Sequence, residues 1–160
     1  RPYTRTSKYK EKSYIRMNPN IRITGFETGS PKKSFQYTLQ LVSNSDLQIR
    51  DNALESAKQT SNKLLETSIG TSAYHLKLKS YPYHVLRENP LASGAGADRF
   101  STGMARSFGK PIGNAAQIKR GTTIFQVSVD KPNLDLAKQA LSKASKKLPC
   151  SCLIQVTENK

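Results

Sequence analysis

The sequence predicts an α+β fold, a two-layer sandwich in which two helices cover one mostly antiparallel sheet. Several segments alternate apolar and polar residues, which is the two-residue period of a strand with one buried face. Two longer segments repeat apolar residues at helical spacing, and turn-forming residues separate the elements. Because strands and helices of this kind must bury their apolar faces, a helix layer on a sheet layer is expected.

The first strand and the first helix are predicted between residues 35 and 67. The alternating apolar residues of the strand are Phe35, Tyr37, Leu39 and Leu41. Ser45 is predicted to cap a helix over about 46–67, because Gln48 stands three residues later in the spacing of a capping box. Gly70 suits the position just past the end of that helix.

The middle of the chain is predicted to contain four strands and one long loop. The strands are expected at about 74–79, 83–88, 115–119 and 123–129. Between them, residues 92–113 hold five glycines and no clean periodicity, so we expect a long glycine-rich loop there. Loops of this length inside a compact domain are uncommon, and those that exist are usually functional or disordered.

A second helix and a final strand are predicted at the end of the chain. Asp130 with Pro132, or Asn133, signals the start of the helix, and Pro149 is expected to stop it. Its apolar face consists of Leu134, Ala137, Leu141 and Ala144. The last strand is expected at about 153–156.

The predicted domain organisation is a basic N-terminal arm over 1–34 and a single α+β domain over 35–160 that contains the 92–113 loop. The arm carries nine basic residues and two acids, and its one short strand is predicted at 21–23. Because it lacks a core of its own, we expect a partner to order it. Its basic start has no apolar segment behind it, so we expect no signal peptide.

The charge of the chain predicts a polyanionic partner. There are 26 Lys and Arg residues against 11 Asp and Glu residues, a formal charge of +15. Seventeen of these cations fall within 1–34 and 75–120, whereas a solvated surface normally mixes both signs. Nucleic acid or an anionic membrane would supply the opposite charge, but no run of 18 apolar residues exists to cross a membrane. The charge therefore predicts a protein that binds a polyanion, and the segregation of its cations into two regions favours nucleic acid.

The side chains that would contact RNA are predicted from this charge distribution. The candidates are Arg1, Arg5, Lys8, Lys10, Arg16, Arg22, Lys32, Lys33, Lys77, Lys79, His84, Arg87, Lys119 and Arg120. Five aromatic residues would either stack on unpaired bases or pack against their own domain: Tyr3, Tyr9, Tyr14, Phe100 and Phe108. For His84, base stacking and a partly buried, satisfied imidazole are equally good interpretations.

A nucleotide-binding loop is disfavoured as an interpretation of the glycine-rich segment. Five residues separate Gly103 from Gly109, whereas the phosphate-binding loop has four, and Pro111 replaces the metal-binding hydroxyl. The alternatives are a plain flexible loop and a loop that threads among RNA backbones, which glycines permit because they allow close approach.

Catalytic, cofactor and metal sites are not expected. No serine, histidine and acid stand in a recognisable catalytic arrangement. His75 and His84 have no ligand partners at metal-site spacing, and Cys150 and Cys152 have no second pair to complete a zinc site. We predict structural free thiols and a reducing, cytosolic compartment.

Several long strings in the chain resemble the L-ten-e branch of the L-sixteen family of large-subunit ribosomal proteins, in its archaeal form. The strings are RPYTR at 1–5, IRI at 21–23, QIRDNALE at 48–55, YPYHVLREN at 81–89, GAGADR at 94–99, GMARSFGKP at 103–111 and KLP at 147–149. They are unusual, occur in the family's order and span nearly the whole chain. Family members usually carry more residues before the RPYTR start, so we expect either a shortened chain or a numbering that begins at an internal point.

The resemblance implies a hammerhead-type α+β sandwich that binds the large rRNA near the peptidyl transferase centre, where aminoacyl-tRNA docks. The family's loop reaches toward the tRNA acceptor region, and its counterparts here are Gly94, Gly96, Arg99, Gly103, Arg106, Gly109 and Lys110. The expected partners are large-subunit rRNA, tRNA, other ribosomal proteins and the small rRNA of that subunit. A cytoplasmic location in the ribosome is expected, with no cofactor, membrane or homo-oligomer. The alternatives are an RNA-modifying enzyme and a basic DNA-architecture protein.

Overall fold

The computed structural model describes residues 18–88, 93–96 and 109–159. These ranges form two helices, α1 (Asp51–Ile69) and α2 (Leu134–Ser145). Their strands are β1 (Glu27–Gly29), β2 (Tyr37–Ser43), β3 (Leu47–Arg50), β4 (Tyr74–Leu78), β5 (His84–Glu88), β6 (Lys110–Ile118), β7 (Thr123–Val129) and β8 (Cys152–Glu158). The predicted α+β class with two helices is confirmed.

The strands form two antiparallel sheets, whereas the sequence predicted one. The larger sheet has the order β1-β4-β7-β2-β8, and the smaller has the order β3-β6-β5. Because β6 pairs with β3 on one side and β5 on the other, neither of its edges is available to join the larger sheet. The prediction of a single sheet was therefore wrong.

The main core lies between the five-stranded sheet and the two helices. Leu39, Leu76 and Val127 line up across the sheet in register, and all three are fully buried. From the helices, the buried apolar residues include Leu54, Ala57, Leu65, Ala137, Leu141 and Ala144. The predicted apolar face of α2 is thus confirmed, except that Leu134 is only half-buried.

The start of α1 differs from the prediction. The segment Leu47–Arg50 is a strand that pairs with β6, Leu47 opposite Ile118 and Arg50 opposite Ala115. Leu47 and Ile49 alternate with polar residues, so this stretch also has the period of a strand, and pairing with a distant segment decides its conformation. The predicted Ser45 cap was therefore wrong, and α1 begins at Asp51 with no side-chain cap.

Three further boundaries differ. The short strand predicted at 21–23 lies instead at Glu27–Gly29, where it pairs with β4. Gly29 has φ +92°, and a Cβ there would overlap the carbonyl of Tyr74, so the pairing requires glycine. The strand β6 begins at Lys110, so residues 110–113 of the predicted loop belong to the smaller sheet. The helix α2 ends at Ser145, four residues before Pro149, which was expected to stop it.

Candidate nucleic-acid interface

Five of the predicted RNA contacts and Lys110 of the predicted tRNA-proximal loop project from the described surface as exposed cations. They are Arg22, Lys32, Lys79, Lys110, Lys119 and Arg120. Within the described ranges, no carboxylate lies at ion-pair distance from any of these side chains. The backbone amide of Arg120 donates to Asp46 Oδ1 at 2.6 Å, which holds the main chain in place. The side chain of Arg120 is exposed at the surface. Unpaired surface cations of this kind are available to phosphates.

Two other lysines among the predicted RNA contacts form ion pairs within the protein. Lys33 Nζ lies 3.3 Å from Asp130 Oδ2 and 5.2 Å from the centre of the Phe35 ring. Lys77 donates to Glu27, and this hydrogen bond holds the pKa of the Glu27 carboxyl below its usual value. Both pairs are exposed, and exposed ion pairs contribute little, so neither lysine is barred from contact with RNA.

Arg87 and His84 lie on β5 in different environments. Arg87 is only 3% exposed and stands opposite Pro111 of β6, so its side chain belongs to the interior of the protein rather than to the exposed surface. His84 is half-buried, and burial lowers the pKa of its imidazole, with a further contribution from the positive charge of Arg87. His84 is therefore neutral near pH 7 and contacts Tyr83 edge to face, with ring centres 6.4 Å apart.

The described part of the glycine-rich segment supplies backbone geometry and one cation. Gly94, Gly96 and Gly109 all have positive φ angles, of 119°, 77° and 71°. Gly109 immediately precedes the exposed Lys110, the first residue of β6. The remaining predicted site residues lie outside the described residues: Arg1, Arg5, Lys8, Lys10, Arg16, Arg99, Gly103 and Arg106.

Residues 22–25, within the predicted N-terminal arm, are held against α1 by a buried polar cluster that the sequence did not predict. The Arg22 amide donates to Asp51 Oδ2 at 3.0 Å, and the Thr24 hydroxyl donates to Glu55 Oε1 at 3.2 Å. Lys58 Nζ donates to the Gly25 carbonyl at 2.9 Å and lies 2.8 Å from Glu55 Oε2. The three helix residues recur at i, i+4 and i+7, a spacing that marks one face of a helix.

A basic groove between β3 and the end of α2 was also missed. It measures about 450 Å³ and is lined by Gln48, Arg50, Asn52, Ala53, Lys147, Leu148 and Pro149. Its lining contains two cations and no carboxylate. The strings at 48–55 and 147–149, which are far apart in sequence, meet there, and their shared resemblance to one family was the only sequence signal for it.

The two cysteines are free thiols whose sulfurs lie 3.5 Å apart. Burial, followed by the contact with Cys150, raises the pKa of Cys152 to about 12. A thiol in this state is a poor nucleophile, in agreement with the predicted structural role. No helix among the described residues is long and apolar enough to span a bilayer.

Comparison with known proteins identifies the family. The family described as "Ribosomal protein L16p/L10e" matches residues 1–155. Proteins named "Large ribosomal subunit protein uL16" are similar to this chain in three archaea. The relative from Methanococcus maripaludis (strain S2) is 43% identical, over 95% of this chain and 88% of the relative. The relative from Archaeoglobus fulgidus is 44% identical, over 98% of this chain and 86% of the relative. The relative from Thermofilum pendens is 42% identical, over 98% of this chain and 90% of the relative.

These matches support neither the RNA-modifying enzyme nor the DNA-architecture protein that the sequence had left as alternatives. They agree with the exposed cations and with the archaeal resemblance of the sequence strings. The chain belongs to the L16p/L10e family of ribosomal proteins.

Proposed function

We propose that this chain is a structural constituent of the large ribosomal subunit that binds large-subunit rRNA near the peptidyl transferase centre and supports the placement of aminoacyl-tRNA. It carries out no chemistry of its own. Other ribosomal proteins and the small rRNA of the subunit are its further partners, and it acts in the cytoplasm within the ribosome. Family membership supports the subunit, and the surface charge supports the rRNA contact.

The observation that carries the rRNA contact is the set of six exposed cations without a carboxylate partner in the described ranges. Each phosphate that such a cation neutralises releases counterions, with a salt slope of roughly −0.7 to −0.9 per contact. Six contacts would therefore give a slope of roughly −4 to −5 in a plot of log affinity against log salt.

The tRNA-facing part of the proposal concerns the 92–113 glycine-rich segment of a hammerhead-type sandwich. Gly94 and Gly96 have positive φ angles, and among the described residues no atom lies within 4 Å of a Cβ built at either, which supports close approach of a nucleic-acid backbone. Lys110 supplies a cation at the point where the segment enters β6. Arg99 and Arg106 would supply further cations, as the resemblance implies.

The domain boundary belongs to the same proposal. Residues 1–34 are the basic arm and residues 35–160 the α+β domain; because β1 joins residues 27–29 to the five-stranded sheet, rRNA would order the part of the arm before residue 22. The buried cluster of Asp51, Glu55 and Lys58 supports an anchoring role for the C-terminal part of the arm, because it holds residues 22–25 against α1.

Co-sedimentation tests the proposal. The full chain, tagged and expressed in an archaeal host, is expected in the large-subunit peak of a sucrose gradient and is released as salt increases. In a binding assay, structured RNA should compete better than duplex DNA of equal length. A chain that stays at the top of the gradient, or that binds duplex DNA equally well, would overturn the assignment.

A further inference from the structure

Two tyrosines stand out on the described surface, outside the predicted contacts. Tyr81 and Tyr83 follow β4 and precede β5, and their exposed fractions are 52% and 63%. Pro82, between them, is buried. The chain therefore turns the proline inward and directs two large rings toward solvent, one on each side of it.

These rings are held in place. The Tyr83 amide donates to the Tyr81 carbonyl at 3.0 Å, which closes a tight turn around Pro82. The Tyr81 ring stacks on Phe26, with centres 5.2 Å apart and planes 25° apart, so Phe26 covers one of its faces. Tyr83 makes an edge-to-face contact with His84. Rings that are ordered before binding lose little conformational entropy when a ligand stacks on them.

The charge around the two rings favours an anionic ligand. Exposed Lys79 stands two residues before Tyr81, and residues 79–84 contain no acid. His84 is neutral near pH 7 because burial lowers the pKa of its imidazole, so Tyr83 has an uncharged aromatic neighbour. A base stacked on a ring with its phosphate on a lysine is the usual arrangement for single-stranded nucleic acid.

The geometry points to Tyr81 and Tyr83 as a stacking platform for unpaired RNA bases, with Lys79 contacting the adjoining phosphate. This inference rests on the proposed rRNA-binding function and extends it to residues that the charge pattern alone did not indicate. A protein partner would also accept exposed tyrosines, but the cation Lys79 and the absence of acids in residues 79–84 favour RNA.

The test compares Tyr83→Leu and Tyr83→Phe in the full chain. The probe is a fluorescein-labelled, single-stranded oligoadenylate of about twelve nucleotides, and a duplex RNA of the same length is the control ligand. Tyr83→Leu should weaken binding of the single strand about tenfold, while Tyr83→Phe should retain the affinity, because stacking needs the ring and not the hydroxyl. Duplex affinity and the salt slope should not change, since no cation is removed.

A second variant reports the contact directly. The chain has no tryptophan, so Tyr83→Trp introduces a single indole, whose fluorescence should be quenched when the oligoadenylate binds. Tyr37→Trp is the matched control. Tyr37 and Tyr74 both lie opposite Val129, at one end of the five-stranded sheet. Leu78, which leads into the Tyr81 turn, is at the other end of β4. The indole of Tyr37→Trp should therefore not respond to the oligoadenylate.

The outcomes separate the two proposals. If the chain binds the single strand with a steep salt slope but Tyr83→Leu binds equally well, the platform is wrong and rRNA binding stands. The platform is also wrong if Tyr83→Leu binds the single strand normally but co-sediments less with large subunits, because that result would indicate a contact with a ribosomal protein. If the chain binds no RNA in dilute buffer, the platform and the proposed function both fail.

Discussion

Lys58 Nζ lies 2.8 Å from Glu55 Oε2 on the same turn of α1, and both side chains are buried. The same ammonium group donates to the carbonyl of Gly25, so this ion pair also holds the C-terminal part of the predicted arm against α1. Thr24 completes the contact through its hydroxyl. A buried ion pair with additional hydrogen bonds is sensitive to the loss of one partner, because the other is left charged in a poorly solvated place.

Lys58→Met should therefore destabilise the protein strongly. It leaves Glu55 buried without its cation, and such changes cost about 3–5 kcal/mol in the free energy of unfolding. Urea denaturation followed by circular dichroism measures the effect. Lys138→Met is the matched control, because the exposed Lys138–Asp135 pair has the same i, i+3 spacing and should change stability by less than about 0.5 kcal/mol. Equal losses in the two variants would contradict a structural role for the buried pair.

Gly29→Ala should destabilise the sheet more than Gly121→Ala. Both glycines have positive φ angles, of 92° and 83°. A Cβ at Gly29 would overlap the Tyr74 carbonyl, whereas nothing lies near a Cβ at Gly121. Backbone strain of about 1–2 kcal/mol is common to both variants, so any further loss in Gly29→Ala measures the overlap. Thermal unfolding of the two variants gives the comparison, and equal melting temperatures would exclude the overlap as a cause.

Local periodicity was sufficient to predict the elements that bury one face against the core. The alternation of Leu39 and Leu41 with polar residues located β2, and the spacing of Ala137, Leu141 and Ala144 located α2. It was not sufficient for residues 47–50, which satisfy a strand pattern and a capping pattern at once. Their conformation depends on β6, more than sixty residues later, and no local pattern contains that information.

The candidate site was predictable in its charge but not in its geometry. A cation in a basic segment looks the same in sequence whether it is exposed, like Lys79, or buried, like Arg87. In the same way, Lys58 resembles a solvated helix lysine until the 24–25 segment is placed over it. Tyr81 and Tyr83 had no signal of their own, because apolar rings near a strand are more often core residues.

Lys119→Ala and Arg120→Ala should each weaken RNA binding and reduce the magnitude of its salt slope by roughly one contact. Both side chains are exposed at the turn between β6 and β7, and neither has an ion-pair partner within the described ranges. Filter binding to structured RNA over a range of salt concentrations measures the slope. Lys63→Ala, an exposed cation on α1 outside the predicted contacts, is the control and should leave the slope unchanged. A similar decrease in all three variants would mean that only net charge matters.

The low pKa of His84 predicts a stability that decreases in mild acid. Burial lowers the pKa of this imidazole in the folded chain, and Arg87 lowers it further, whereas an unfolded histidine titrates near about 6.5. The unfolded state therefore binds the proton more readily, so the free energy of unfolding falls as the pH drops below about 6.5 and stops falling below the folded pKa.

His84→Gln should remove that part of the pH dependence. Urea midpoints for the wild-type chain and the variant, measured between about pH 7.5 and 5.5, should fall more steeply in the wild type. His75, whose Nε2 lies 3.6 Å from Glu27 Oε2, is present in both proteins, so any contribution of its own cancels in the difference. If the two midpoints fall in parallel, the protonation of His84 costs the fold nothing, and its imidazole must be better solvated than its contacts with Tyr83 and Arg87 imply.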